Sequence, residues 1–367
     1  MGAHPSAPSG AAGTTLDAHI AADPDRELGP ACVARFGPRL PFLLKVLSAD
    51  RALSIQLHPS RAQAETGFRL SPKNYVDDWP KPELLCALTP FELLAGLRAP
   101  RDAAALLRAL AVRQLAPLAA ELEAATSPQA LAHALAAVLR WPDPEELTGA
   151  VVAACATLAA SGGPDAAACA AVVREAGNHP GDPGLAAMLL MRHAVLAPGQ
   201  AVFLPAGGLH VYLRGTGIEV LANSDNVIRA GLTSKHVDVP ELLKLLDPGV
   251  TVPVLSPVPL GEGIGYFDTP APEFRLYVAD LAEHAVTLPG AGPRIVLCTT
   301  GSALLRSGSG EAVKLARGES CFVSAADTPA QASAVGIPAH LFVAAPGLST
   351  QPRPGSPAGS AWTATSA

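Results

Sequence analysis

Gln56 and His58 stand two residues apart in a stretch where Leu53, Ile55 and Leu57 alternate with Ser54, Gln56 and His58. Period-two alternation predicts a strand, and residues two apart on a strand leave the same face, so the carboxamide and the imidazole can grip one ion together. A metal site also calls for a carboxylate. Glu83 in Lys81-Pro82-Glu83 is the candidate, because the proline stiffens the chain just before it. Histidine nitrogen with carboxylate and amide oxygen, and no thiolate, suits zinc or another borderline divalent ion. A glutamine ligand is unusual, and His58 taken alone is better explained as a hydrogen-bonded histidine at a strand end.

A further histidine is placed by the spacing Gly199, five residues, Pro205, one residue, Gly207, two residues, His210. This resembles the second conserved motif of the cupin superfamily, small jelly-roll β-barrels in which a turn closes one strand and the next presents a histidine into the barrel mouth. The motif's terminal asparagine is absent, and Arg214 stands where it would fall. A weak internal repeat runs beneath it: residues 197–204 and 316–323 match at Ala197/Ala316, Gly199/Gly318 and Phe203/Phe322. Two related β units are expected. Pro329 falls where the first unit has His210, so the second unit should have lost its ligand there.

The elements that must carry these residues follow from pattern. Residues 40–58 read as two strands around Ser48-Ala49-Asp50. Thr89-Pro90 and Ser127-Pro128 look like helix starts, and Leu131, Leu135, Val138 and Leu139 recur at helical spacing. Residues 89–178 therefore read as a helical block, closed by a Pro/Gly-rich turn at 179–184. Short strands then return, followed by a helix over 240–246, a Pro/Gly-rich linker over 247–264 and strands again over 274–345. The expected fold is mainly β with a helical insert: two jelly-roll barrels plus an α-helical domain, with N-terminal strands missing. Its segments are 1–88 and 179–262 for the catalytic barrel, 89–178 for the insertion, 263–345 for a degenerate second barrel and 346–367 for a disordered tail.

Composition narrows the function classes. The chain has 367 residues, 49% hydrophobic and 16% charged, which is enough apolar content to bury a sizeable core. Lys+Arg is 26 against Asp+Glu 32, a net charge of -6, so no general basic field attracts nucleic acid or an anionic membrane. The uncharged run 148–164 is mostly small residues and makes a poor membrane span. With no export signal, a cytoplasmic, monomeric protein acting on a small molecule is expected. Six scattered cysteines without a CxxC pair read as buried free thiols.

Four segments occur in one order: 54–59 (SIQLHP), Lys81-Pro82-Glu83, 205–210 (PAGGLH) and 222–240 (ANSDNVIRAGLTSKHVDVP). Together they closely resemble type I mannose-6-phosphate isomerases, over nearly the whole chain. The resemblance implies zinc ligands at Gln56, His58, Glu83 and His210. It places the family's active-site arginine at Arg229 and its other polar site positions at Ser54, Lys81, Glu219 and Lys235.

The implied reaction interconverts mannose 6-phosphate and fructose 6-phosphate through a cis-enediolate, feeding mannose metabolism and GDP-mannose supply. Zinc would polarise the carbonyl and Arg229 would hold an oxyanion as a permanently charged planar donor. Ser54 and Lys235 are the candidates for the phosphate, and Lys81 for a proton shuttle, with Glu219 and Asp225 as rival bases. A metal-binding cupin that holds a sugar phosphate without turnover is the rival reading.

Two departures stand out. Family members commonly carry Asn-His before Lys-Pro-Glu, whereas this chain has Trp79-Pro80, so any ring-opening or proton-relay role of that histidine is lost here or must pass to another group. Residues 1–9 resemble an internal, strand-like family segment, so the chain is expected to begin inside the first domain. The same letters fit a myristoylation pattern, which the internal resemblance explains better.

Overall fold

The alternation around Gln56 becomes the strand Ile55–Leu57, and a computed structural model, which describes residues 1–11, 13–70, 73–282 and 284–348, shows what holds it. Ile55 and Leu57 are fully buried in a cluster with Leu106, Leu107, Leu131, Leu135, Leu147 and Val151 from the helices. Gln56 faces the other way. Burying each large aliphatic side chain contributes roughly 1.5–3 kcal/mol, so the helices fix which face the strand presents.

The longest strand, His210–Ala222, organises the first sheet. Its first residues pair with Ile55–Leu57 and Phe91–Leu97, and its later residues with Phe42–Ala49 and Glu83–Ala87. Ile228–Gly231, Met191–Leu196, Ala201–Leu204 and Val254–Leu255 complete nine strands. Leu85, Leu93, Ala95, Val202, Leu204, Tyr212 and Val252 fill the inside of this partly closed barrel. A six-stranded and a four-stranded sheet follow in the C-terminal part. Phe267, Phe274, Leu276, Ile295 and Phe342 of that part pack against Phe42, Leu44, Leu84 and Cys86 of the first sheet.

Where the chain was expected to turn helical at Thr89-Pro90, it forms instead the strand Phe91–Leu97. Phe91, Leu93 and Ala95 point into the barrel and Leu94 and Leu97 toward the helices. Apolar residues on both faces erase the two-residue period, and the first helix of the block begins at Pro100. The second expected start holds, with a helix over Gln129–Leu139 just after Pro128. The expected linker at 247–264 carries the short strands Val254–Leu255 and Val258–Gly261.

Residues 1–9 lie outside any strand, although Met1 and Leu44 exchange backbone hydrogen bonds at 2.6 and 2.9 Å. Helices also form over Leu16–Ala22, Pro24–Leu28, Pro30–Phe36 and Arg61–Leu70, where the sequence pattern did not lead us to expect them. Of the tail expected to be disordered, 349–367 lies outside the described residues, and Leu348 packs on the core between the sheets. All six cysteines are free, five of them buried. No helix among the described residues is long and apolar enough to cross a membrane.

One buried carboxylate couples the helices to the loop before Gln56. Glu175, on the helix Ala166–Ala176, accepts the Ala52 N–H at 2.9 Å and the Asn178 side chain at 3.1 Å. The next backbone N–H, that of Leu53, donates to Tyr212 O at 2.9 Å. The loop is thereby pinned from two sides just ahead of the strand.

Candidate metal centre

Register puts three of the singled-out side chains in one row. Gln56 lies directly opposite Arg229 on one side and His210 on the other, and directly opposed residues present the same face. The turn before His210 depends on Gly207, whose φ is +75° and whose Cβ would stand 2.8 Å from Leu245 O. The Gly207 N–H donates to His58 O at 2.9 Å, which ties the turn to the other histidine. Glu83 enters from the first residue of the strand Glu83–Ala87.

His58, Glu83 and His210 are all buried, with one ligand atom each lying within 4.8 Å of the others. His58 Nε2 is 3.2 Å from Glu83 Oε1, and His210 Nε2 is 3.6 Å from Glu83 Oε2. His58 Nδ1 lies 2.7 Å from Asn226 O and His210 Nδ1 lies 3.0 Å from Gly208 O. A carbonyl cannot donate, so both rings carry their proton on Nδ1 and turn a bare Nε2 toward the carboxylate. Burial pushes His58 down to about 4, which keeps the ring neutral. Burial works to raise Glu83, but the Lys81 ammonium, 3.2 Å away, holds it well below the ordinary carboxylate range.

The result is an arrangement of acceptors facing acceptors. His58 Nε2 and Glu83 Oε2 are buried without a hydrogen-bond partner, and such orphaned groups cost roughly 1–3 kcal/mol each. A divalent cation between them satisfies both. Ligands about 2.0–2.1 Å from a tetrahedral ion sit about 3.3 Å apart, close to the two separations here. Gln56 adjoins the group, with Nε2 3.4 Å from His210 Nε2. The donor set therefore fits a metal ion.

Comparison with known proteins bears on what such a centre serves. The family model of the type I phosphomannose isomerase catalytic domain matches residues 1–100. The chain is 35% identical over 360 residues to mannose-6-phosphate isomerase of Salmonella typhimurium, covering 93% of this chain and 90% of that protein. It is 31% identical over 359 residues to the Rattus norvegicus enzyme of the same name, covering 89% and 84%. Solved structures of phosphomannose isomerase variants from Salmonella typhimurium match with a TM-score of 0.85 at 32% identity, over 95% of this chain and 90% of theirs.

The chain belongs to the type I phosphomannose isomerase family. The other singled-out residues are placed as follows. Lys81 is buried against Glu83. Glu219 is buried on the long strand opposite Lys45, with Oε2 4.0 Å from Lys45 Nζ. Burial and the Glu83 charge push Glu219 up to about 7, against the pull of Lys45 and Lys81. Arg229 is half-buried and lines a hollow of about 190 Å³ with Lys73, Asp225 and His236. Asp225 pairs with His4 at 3.0 Å. Ser54 donates to Gln56 Oε1 at 2.8 Å, and Lys235 is exposed in the loop after Ile228–Gly231.

Sequence reasoning missed Lys45 and, above all, Asn226. The fully buried Asn226 side chain accepts from Val76 N at 2.8 Å and donates to Asp77 O and Trp79 O, both at 2.8 Å, while the Asn226 backbone carbonyl orients His58. It thereby holds the segment that delivers Lys81 and Glu83. Trp79 itself is core, stacked under Arg39 at 3.5 Å, and Pro80 is buried beside it.

The repeat is literal at its turn. Gly199 N–H donates to Ala87 O at 2.8 Å and Gly318 N–H to Cys298 O at 2.7 Å, with φ of +84° and +87°. Glu83 lies opposite Leu204 and Arg294 opposite Val323, and Leu204 and Val323 each follow a matched phenylalanine. Arg294 is thus the counterpart of Glu83. A buried guanidinium that donates to Thr328 Oγ1 at 2.9 Å stands in place of the carboxylate. This position repels a second cation.

Proposed function

We propose that the chain is a zinc-dependent aldose–ketose isomerase that interconverts D-mannose 6-phosphate and D-fructose 6-phosphate through a cis-enediolate. One zinc ion is assigned to Gln56, His58, Glu83 and His210. The observation that carries the reading is the pair of buried, unsatisfied acceptors, His58 Nε2 and Glu83 Oε2, in a chain of this family. Nitrogen and oxygen donors without thiolate favour zinc among borderline ions. When bound, zinc supplies a Lewis acid for the substrate oxygens.

The protein's own groups supply the rest. Arg229, in the same cross-strand row as Gln56 and His210, holds the developing oxyanion with a fixed fork of donors. Glu219 and Lys81 are assigned the proton that leaves one of the adjoining carbons C1 and C2 and returns to the other. Lys235 is assigned to the phosphate. Residues 1–88 and 179–262 are read as one cupin barrel, to which Phe91–Leu97 also contributes, with 263–345 as its degenerate copy. Among the described residues, no contact in the site favours metal binding without turnover. Conversion of mannose 6-phosphate in deuterated water tests the route: label at C1 or C2 of the sugars supports the enediolate, and turnover with no label under any condition supports hydride transfer instead.

A further inference from the structure

The Ser54 hydroxyl is already engaged, which changes what it can do. In Ser54-Ile55-Gln56 both polar side chains leave the same face, and the hydroxyl donates to Gln56 Oε1 at 2.8 Å. The other end of the carboxamide, Nε2, lies 3.4 Å from His210 Nε2. That ring nitrogen is a bare acceptor, because Nδ1 holds the proton against Gly208 O at 3.0 Å. Gln56 therefore caps His210 with its amide nitrogen while its oxygen, the only atom of the carboxamide able to ligate a cation, faces Ser54.

We propose that Ser54 is the positioning residue for the Gln56 ligand, donating to Oε1 before a cation binds and accepting from Nε2 after it. The step is a half-turn of the carboxamide about its terminal bond, with no bond made or broken. It withdraws the N–H from His210 Nε2, brings Oε1 round to the same place and turns Nε2 toward residue 54. A hydroxyl serves both states because it is donor and acceptor at once. Groups that orient metal ligands commonly matter 10–100-fold in affinity. The pinning of Ala52 by Glu175 and of Leu53 by Tyr212 O holds Ser54 within reach in both states. This role replaces the direct phosphate contact that the sequence suggests for Ser54, and it rests on the metal centre proposed above.

The test is zinc affinity, measured by competition with a chromogenic chelator on the full chain, together with KM for mannose 6-phosphate at saturating zinc. Ser54→Ala should weaken zinc binding about tenfold, and Ser54→Thr, which keeps the hydroxyl, should restore it to within about threefold of the original. His210→Ala is the reference and should lose most zinc binding. Unchanged zinc affinity in Ser54→Ala overturns the proposal, as does a defect lying wholly in KM at saturating zinc. If His210→Ala also binds zinc normally, the metal centre itself has failed, which separates the two readings.

Discussion

His58 Nε2 faces Glu83 Oε1 across 3.2 Å, although the only ring proton of His58 lies on the opposite side, against Asn226 O. Lone pair meets lone pair in a buried site, so the pair is poised for a positive charge. Added zinc should then raise the thermal midpoint of the original chain. At a hundredfold excess over Kd the gain is about 2.7 kcal/mol, or several degrees. In Glu83→Gln and His210→Ala the shift should vanish. A full shift in Glu83→Gln would place the ion elsewhere.

Arg229 sits beside Gln56 in the ladder and has no part in the histidine–carboxylate group. Arg229→Lys should therefore keep its zinc by elemental analysis while kcat/KM falls about 100-fold, because a point charge replaces a planar fork. Unchanged kcat/KM would remove Arg229 from the chemistry.

Glu219 offers a pH signature in the metal-free protein. Its carboxyl is raised from 4.5 to about 7 by burial and by Glu83, so the folded state keeps a proton that the unfolded chain has released. The stabilisation is complete below pH 4.5, is lost as pH rises toward 7 and stays lost above that. Glu219→Gln cannot lose a proton, so its stability should not decline over this window. Above pH 7 it should exceed the original by up to about 3 kcal/mol. Urea midpoints at pH 4.5 and 8 measure this, and parallel slopes in the two proteins would contradict the shift.

How much of this was legible depends on what covers each face. Gln56 and His58 stand out because Ile55 and Leu57 alone meet the helices, leaving a clean period of two. Phe91–Leu97 hides because Phe91 and Leu93 fill the barrel while Leu94 and Leu97 meet the helices, and an apolar strand on both faces imitates a helix in one dimension. Arg229 and Lys235 were readable only through the letters around them, since a charge by itself carries no address. Asn226 was unreadable in principle: its partners lie about 150 residues earlier, at Val76 to Trp79, and only the folded chain brings them together. Arg294 shows the converse, because strand register reveals an equivalence to Glu83 that residue identity conceals.

The most direct measurement is a coupled assay of mannose 6-phosphate conversion by the 367-residue chain before chelation, after chelation and after zinc is returned. We predict turnover by the zinc-loaded protein, its loss on chelation and its recovery at about one zinc per chain, because Arg294 sets a guanidinium opposite Val323 where Glu83 lies opposite Leu204. Full turnover by protein shown to be metal-free, or tight binding of the sugar phosphate by zinc-loaded protein without conversion, would contradict the account.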